Sequence, residues 1–396
     1  MLRCFAAMTC MLLAPSLYAA DDGSTATTET APQNVVEAVE TEQEEAAPQV
    51  VEPENQYEDE DIIIPPASPD EPVIEFSARL ASQYLEQGAA AWTRDKQCIT
   101  CHTNGTYLFI RPALTESLGP PSEEVRDFFL AELPTLQEMD HETLTNGTTP
   151  AQLVYLAAGL AQWDIHTTGD VSPETDTALR LMLQIQEEDG AWRSVDCWPP
   201  FESSAYQEAT MAAMAITSNP SWLPSVKDSD VLERVARLKS YLRTVMPPHD
   251  YARVLKLWTS IDMPEILVDN EAEEIKEMIL SKQQSDGGWS LRSFAAPEEW
   301  GKGNRAERLR AEPDIESPGS DGHMTGLALI VLQQTGHRST PTIRKGVAWL
   351  RSNQRASGRW WTRSLNTDDW HYITYSGTAY AMLAMQLARE PLLTSR

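Results

Sequence analysis

The chain has 396 residues, with 59 acidic side chains against 31 basic ones and a formal net charge of −28. A balance this acidic excludes a binder of nucleic acid or of anionic lipid headgroups, both of which need a basic face. No apolar run reaches the roughly 18 uninterrupted residues that a bilayer-spanning helix needs, so the chain is expected not to span a membrane.

Residues 1–19 carry one charge, Arg3, then an apolar stretch from Cys4 to Leu13, and end in Leu17-Tyr18-Ala19. That order is expected of a secretory signal peptide, which places the mature protein in the periplasm or cell envelope. Residues 20–75 follow as a disordered acidic linker. Between Asp21 and Glu75 there are seventeen acidic residues and no Lys, Arg or His, a composition that cannot bury a core. Only Cys98, Cys101 and Cys197 remain after the signal, too few for a disulfide scaffold.

From residue 76 on, apolar residues recur at helical spacing, and no two-residue alternation lasts for a strand length. The chain is therefore expected to be all-α, with helices near 76–90, 122–138, 149–162, 173–187, 204–217, 229–245, 250–260, 270–284, 321–335, 341–354 and 374–388. Pro341 and Asp321-Gly322 mark helix starts, and Thr335-Gly336 marks an end. The stretches 291–320 and 358–373 are expected to be loops, the first long enough to be functional or mobile.

Three of these helices end in the same pattern. Gln186, Gly190 and Trp192 recur as Gln283, Gly287 and Trp289, and again as Gln354, Gly358 and Trp360. Gln can hydrogen-bond backbone groups at the helix end, Gly permits a left-handed turn, and Trp folds back onto a neighbouring helix. The segment 345–360 reads K-G-x-x-W-L-x-x-x-Q-x-x-x-G-x-W, which resembles the repeat of squalene-hopene cyclases and of the wider prenyltransferase and terpenoid-cyclase superfamily. The resemblance covers about residues 75–390. It implies an α/α toroid, in which 173–187, 270–284 and 341–354 are outer helices and 149–162, 204–217, 321–335 and 374–388 inner ones. An open helical solenoid is the alternative.

Cys98-Ile99-Thr100-Cys101-His102 is a C-x-x-C-H segment, the pattern of covalent c-type haem attachment: two thiols for the vinyl groups and an imidazole as the proximal iron ligand. A disulfide or redox dithiol, and a zinc site of these residues with Cys197, are the other readings, zinc being disfavoured. The run from Trp92 to Pro112 resembles the haem-motif insertion of planctomycete-type squalene-cyclase-like proteins, which implies that 76–140 is a haem-bearing first repeat and 141–396 the rest of the toroid. Met139 and His141 are candidate sixth ligands, with His166, His323 and His371 behind them.

Hopene-type cyclases protonate an alkene with D-x-D-D. The nearest string, Asn366-Thr367-Asp368-Asp369, lacks the first carboxylate, so Asp368 and Asp369 are weak catalytic candidates and better suited to capping the next helix. The protein prenyltransferase β-subunit resemblance would put zinc on Asp196, Cys197 and His371, but there Asp and Cys are separated by one residue and here they are adjacent. Arg193, Arg359 and Arg363 are candidate haem-propionate partners, with ion pairing as the default. Tyr155, Trp163, Trp258 and Tyr375 are expected to line a cavity for an isoprenoid or other lipid, or to pack the core. The resulting expectation is an exported haem c protein for redox or ligand binding with an envelope redox partner. The alternative is an isoprenoid cyclase-like enzyme.

Overall fold

The computed structural model describes residues 56–392, apart from 60, 196–197, 202–203, 339, 367–371 and 391. Asp196, Cys197, Asp368, Asp369 and His371, like the expected signal peptide, lie outside the described residues.

Among the described residues, twelve helices of seven residues or more alternate between an outer and an inner layer. The outer ones are α1 (Ala78–Lys96), α3 (Glu123–Glu138), α5 (Pro173–Gln184), α7 (Ser229–Thr244), α9 (Glu271–Ser281) and α11 (Pro341–Ser352). The inner ones are α2 (Asn104–Ile110), α4 (Thr149–Trp163), α6 (Ala205–Thr217), α8 (Asp250–Thr259), α10 (Gly322–Gln334) and α12 (Tyr372–Leu387). Composition sorts the layers. In α4, α6 and α10 nearly every residue is buried, as a helix surrounded by protein requires, whereas α7 and α9 bury one stripe.

The inner helices form a closed circuit: α2 packs on α4, α4 on α6, α6 on α8, α8 on α10, α10 on α12, and α12 returns to α2. The chain is thus an α/α toroid, and the open solenoid is ruled out by the α12–α2 and α12–α1 contacts. Between α10 and α12 the helices approach so closely that a Cβ at Gly326 would stand 2.7 Å from the Ala381 nitrogen.

The three repeats act as joints. In each, the Trp indole N–H donates to a carbonyl of its own outer helix: Trp192 to Met182, Trp289 to Ile279 and Trp360 to Leu350, all at 2.8 Å. Each Gln side chain donates twice, to its own Gly carbonyl and to the next outer helix or its cap: Gln186 to Arg234 O, Gln283 to Thr342 O and Gln354 to Ser77 O. The Gly residues sit at φ 92–99°, where side chains are strained, and a Cβ at Gly358 would meet the Leu80 backbone at 2.4 Å. The third joint links α11 to α1 across 277 residues and closes the outer layer.

Two local expectations are corrected. Residues 56–75, assigned to the disordered linker by charge, form a strap packed on the toroid. It opens with an antiparallel hairpin, β1 (Tyr57–Asp59) and β2 (Ile62–Ile64), and later bridges Val73 to Arg355. Tyr57, Ile62 and Ile64 are buried, Tyr57 edge-on to Trp92, and Arg359 donates to the Pro65 and Pro66 carbonyls and pairs with Glu71. Few apolar residues suffice because this strap joins a core that already exists. The loop 291–320 carries short helical turns and is held down by a buried pair, Arg292 with both oxygens of Glu312, while Arg292 also donates to the Arg363 and Ser364 carbonyls.

Candidate functional site at the mouth of the ring

Because inner and outer helices alternate, every outer-to-inner connection comes to the same end of the ring. These connections carry Cys98 to His102, the 198–201 segment, His249, the 282–321 loop and the 353–366 segment. Hydrogen bonds tie several together: Asn366 donates to Pro199 O at 3.0 Å, Tyr251 N to Phe294 O at 2.9 Å, and Asp321 N to Trp289 O at 2.8 Å.

The Cys98–His102 turn is built by its own neighbours. Asn104 accepts from Thr100 N at 2.9 Å and donates to Cys98 O at 3.0 Å, and Trp92 donates to the same carbonyl at 3.0 Å. Thr106 donates to Cys101 O at 2.6 Å. Gly105 is required, since a Cβ there would stand 2.4 Å from Thr100 O. Cys98 is half-buried, while Cys101 and His102 are 2% and 1% exposed. Trp92 meets the His102 ring edge-on at 4.8 Å, and Thr103 Oγ1 lies 2.8 Å from His102 Nδ1. The Cys101 thiol faces the ring interior, close enough for a charge on it to raise the hydroxyl pKa of Tyr155 and Tyr380.

Beside these lies a polar cluster that sequence spacing did not reveal. His323, fully buried at the start of α10, has Nε2 3.0 Å from the Tyr251 hydroxyl and Nδ1 2.8 Å from Ser376 Oγ. Ser376 spends its only proton on Ile373 O, so His323 Nδ1–H donates to Ser376 and Nε2 accepts from Tyr251. Burial holds His323 down at about 3 and His249 at about 4, so both rings are neutral. Asp321 caps α10 by accepting from Met324 N at 2.8 Å and also accepts from Leu291 N at 2.5 Å. Complete burial outweighs those bonds and pushes its carboxyl up to about 6. Tyr251, Tyr380 and His323 sit 72 or more positions from one another or on different helices, so only ring closure assembles them.

Of the other sequence candidates, Met139 and His141 lie in the connection from α3 to α4, at this same end of the ring. Met139 is half-buried at the end of α3, and His141 is exposed on a short helix capped by Asp140. His166 lies in the turn after α4, at the opposite end of the inner helices. Arg193 braces the first repeat turn against Glu187 and Asp189, Arg359 holds the strap, and Arg363 lies over Trp361. Of the aromatic residues, Tyr155 accepts from Gln207 at 3.1 Å and Trp258 meets Tyr380 edge-on, both toward the interior. Tyr375 instead donates to Leu85 O, and Trp163 packs under Arg126, so these two bind the layers together. Among the described residues no His, Cys, Asp or Glu side chains converge in threes as a metal-ligand set, and no helix is long and apolar enough to cross a membrane.

The buried titratable groups give a pH signature. Depressed histidine pKa values contribute stability that is full above about 6.5 and is lost as pH falls toward 4. The raised Asp321 pKa acts oppositely, contributing stability below about 3.8 that is lost as pH rises through 6. Between pH 4 and 6 two histidine contributions oppose one from Asp321. Asp321→Asn keeps a capping oxygen and removes the opposing charge, so its unfolding free energy should fall by about 1.4 kcal/mol more per pH unit than that of the parent on acidification through this window. Urea titrations at stepped pH read this directly, and parallel curves would contradict it.

No protein-family model matches the chain, and no curated protein does. Among solved structures, ent-copalyl diphosphate synthase from Streptomyces platensis is similar over 72% of this chain at 14% identity and a TM-score of 0.43. This chain spans about half, 51%, of that protein's length. A polysaccharide lyase is similar over 81% of this chain and 99% of its own, at 10% identity and a TM-score of 0.49. An unsaturated glucuronyl hydrolase specific for heparin is similar over 79% and 98%, at 10% identity and a TM-score of 0.45.

Proposed function

We propose that this chain is an exported c-type haem protein, a squalene-cyclase-like toroid whose first repeat carries the haem and that serves redox or ligand-binding chemistry in the cell envelope with a redox partner there. The observation that carries the reading is the Cys98–His102 turn: two thiols and an imidazole in the required order, at the mouth of the ring, with Cys101 directed inward. The donor set fits a haem. Cys98 and Cys101 would hold it, and His102 would ligate iron, its ring oriented by Thr103 at Nδ1 and by the Trp92 edge.

When bound, the haem supplies one-electron redox and axial ligand exchange. The chain's own contribution is to fix that turn through Asn104, Trp92 and Thr106, with the Tyr155 and Tyr380 hydroxyls near enough to feel Cys101. Expression with a haem-maturation apparatus in an oxidising compartment should give a Soret band that survives acid-acetone extraction and a pyridine haemochrome of the thioether type. Cys98→Ala/Cys101→Ala should lose both. Wild-type protein that emerges colourless, or whose colour extracts, would sink the reading.

A further inference from the structure

The N-terminus of inner helix α8 contains a buried donor with nothing to donate to. His249 caps α8 by accepting from Ala252 N at its Nδ1, 3.1 Å away, so its neutral ring carries the proton on Nε2. That Nε2 is buried and has no hydrogen-bond partner, in a residue 5% exposed. Leaving such a buried donor unmet is costly, which makes it a position where an acceptor is favoured.

An aromatic side chain of the 291–320 loop packs against the His249 ring. Trp300 is 1% exposed and lies 4.8 Å from the His249 ring and 5.6 Å from Tyr251, packed against both. The next three residues, Gly301, Lys302 and Gly303, all have positive φ, at 50°, 61° and 79°. A lysine there is strained, and two flanking glycines let the backbone leave that conformation with little steric penalty. Tyr251, also against Trp300, has committed its proton to His323, so its hydroxyl oxygen keeps only accepting capacity for a ligand.

We propose that Trp300 is a lid over a binding site for a neutral, oxygen-rich ring such as a sugar, with His249 Nε2 donating to a ligand oxygen, Tyr251 O accepting from a ligand hydroxyl, and the indole stacking on the ligand's C–H face. A neutral ligand suits this setting: the rings of His249 and His323 are neutral, Asp250 is paired with Arg253 and Lys282, Arg292 with Glu312, and the Asp321 carboxyl acts on Tyr251. The site is separate from the haem reading and needs no haem.

The test uses the full chain labelled with 5-fluorotryptophan, the Trp300 signal being assigned by its loss in Trp300→Phe. Titration with D-glucose should move that signal saturably, and D-glucuronate should compete less well. His249→Asn keeps the capping oxygen and removes the inward donor, so it should bind glucose about tenfold more weakly at an unchanged unfolding midpoint. A Trp300 signal indifferent to glucose leaves a closed, water-satisfied core position and overturns the proposal. Tighter binding of glucuronate than of glucose overturns the ligand class. Should His249→Asn fail to fold, the wild-type fluorine titration still decides.

Discussion

Trp360→Ala is expected to destabilise the protein by about 3–5 kcal/mol, the range for emptying a fully buried aromatic site. Trp360 is 0% exposed and packs beneath Gly322, where a Cβ would stand 2.4 Å from the Trp360 Cβ, so the start of α10 rests on it. The loss also takes the indole N–H from Leu350 O, leaving it the longer bond from Asn353 N at 3.4 Å. Gln354→Ala offers the contrast. It removes two donated bonds and the bond accepted from Ser77 N, with little apolar volume, and should cost roughly 1–3 kcal/mol. Guanidinium unfolding of the two variants measures the split. Near-equal effects would mean that the joint holds by its hydrogen bonds, not by packing.

Arg359→Met is expected to release the strap. The guanidinium is 2% exposed, donates to the Pro65 and Pro66 carbonyls, pairs with Glu71 at 3.2 Å and lies over the Tyr84 ring. Methionine fills part of the volume but leaves two carbonyls and a carboxylate without their donor, an effect of about 3–5 kcal/mol for a broken buried pair. Glu71 also accepts from Ser357 N, so the same event loosens the third repeat's turn. Limited proteolysis should then cut within residues 56–75 under conditions where the parent is intact. Adding Glu71→Gln should recover part of the loss, because the stranded charge is removed. A strap that stays protected in Arg359→Met would show that the hairpin's contact with Trp92, not the arginine, anchors it.

Most of the toroid was legible in the sequence, and the reasons are local. Helical periodicity lies within a few turns, so the eleven expected helices all appear, displaced by a few residues at their ends. The Gln, Gly and Trp spacing was legible because all three residues of a joint lie within seven positions. What the Gln reaches for was not, since Ser77 is 277 residues away. Helix α2 escaped because all seven of its residues are buried, so no polar face exists to generate a period. The strap escaped for the opposite reason: its charge density describes a chain that cannot fold alone, and this one does not fold alone.

The candidate site divides in the same way. Cys98, Cys101 and His102 stood out as candidates because C-x-x-C-H is a pattern of near neighbours in the chain. The His323, Tyr251, Ser376 and His249 cluster draws on three inner helices, and none of its members has a sequence neighbour that announces chemistry. By itself, the sequence determined the helices, the joints and the thiol-imidazole turn, because each rests on interactions within a few residues. Only the tertiary structure decided that the ring closes, that an acidic strap braces its seam, and which polar groups face one another inside it. Those depend on contacts between segments tens to hundreds of residues apart, which periodicity does not encode.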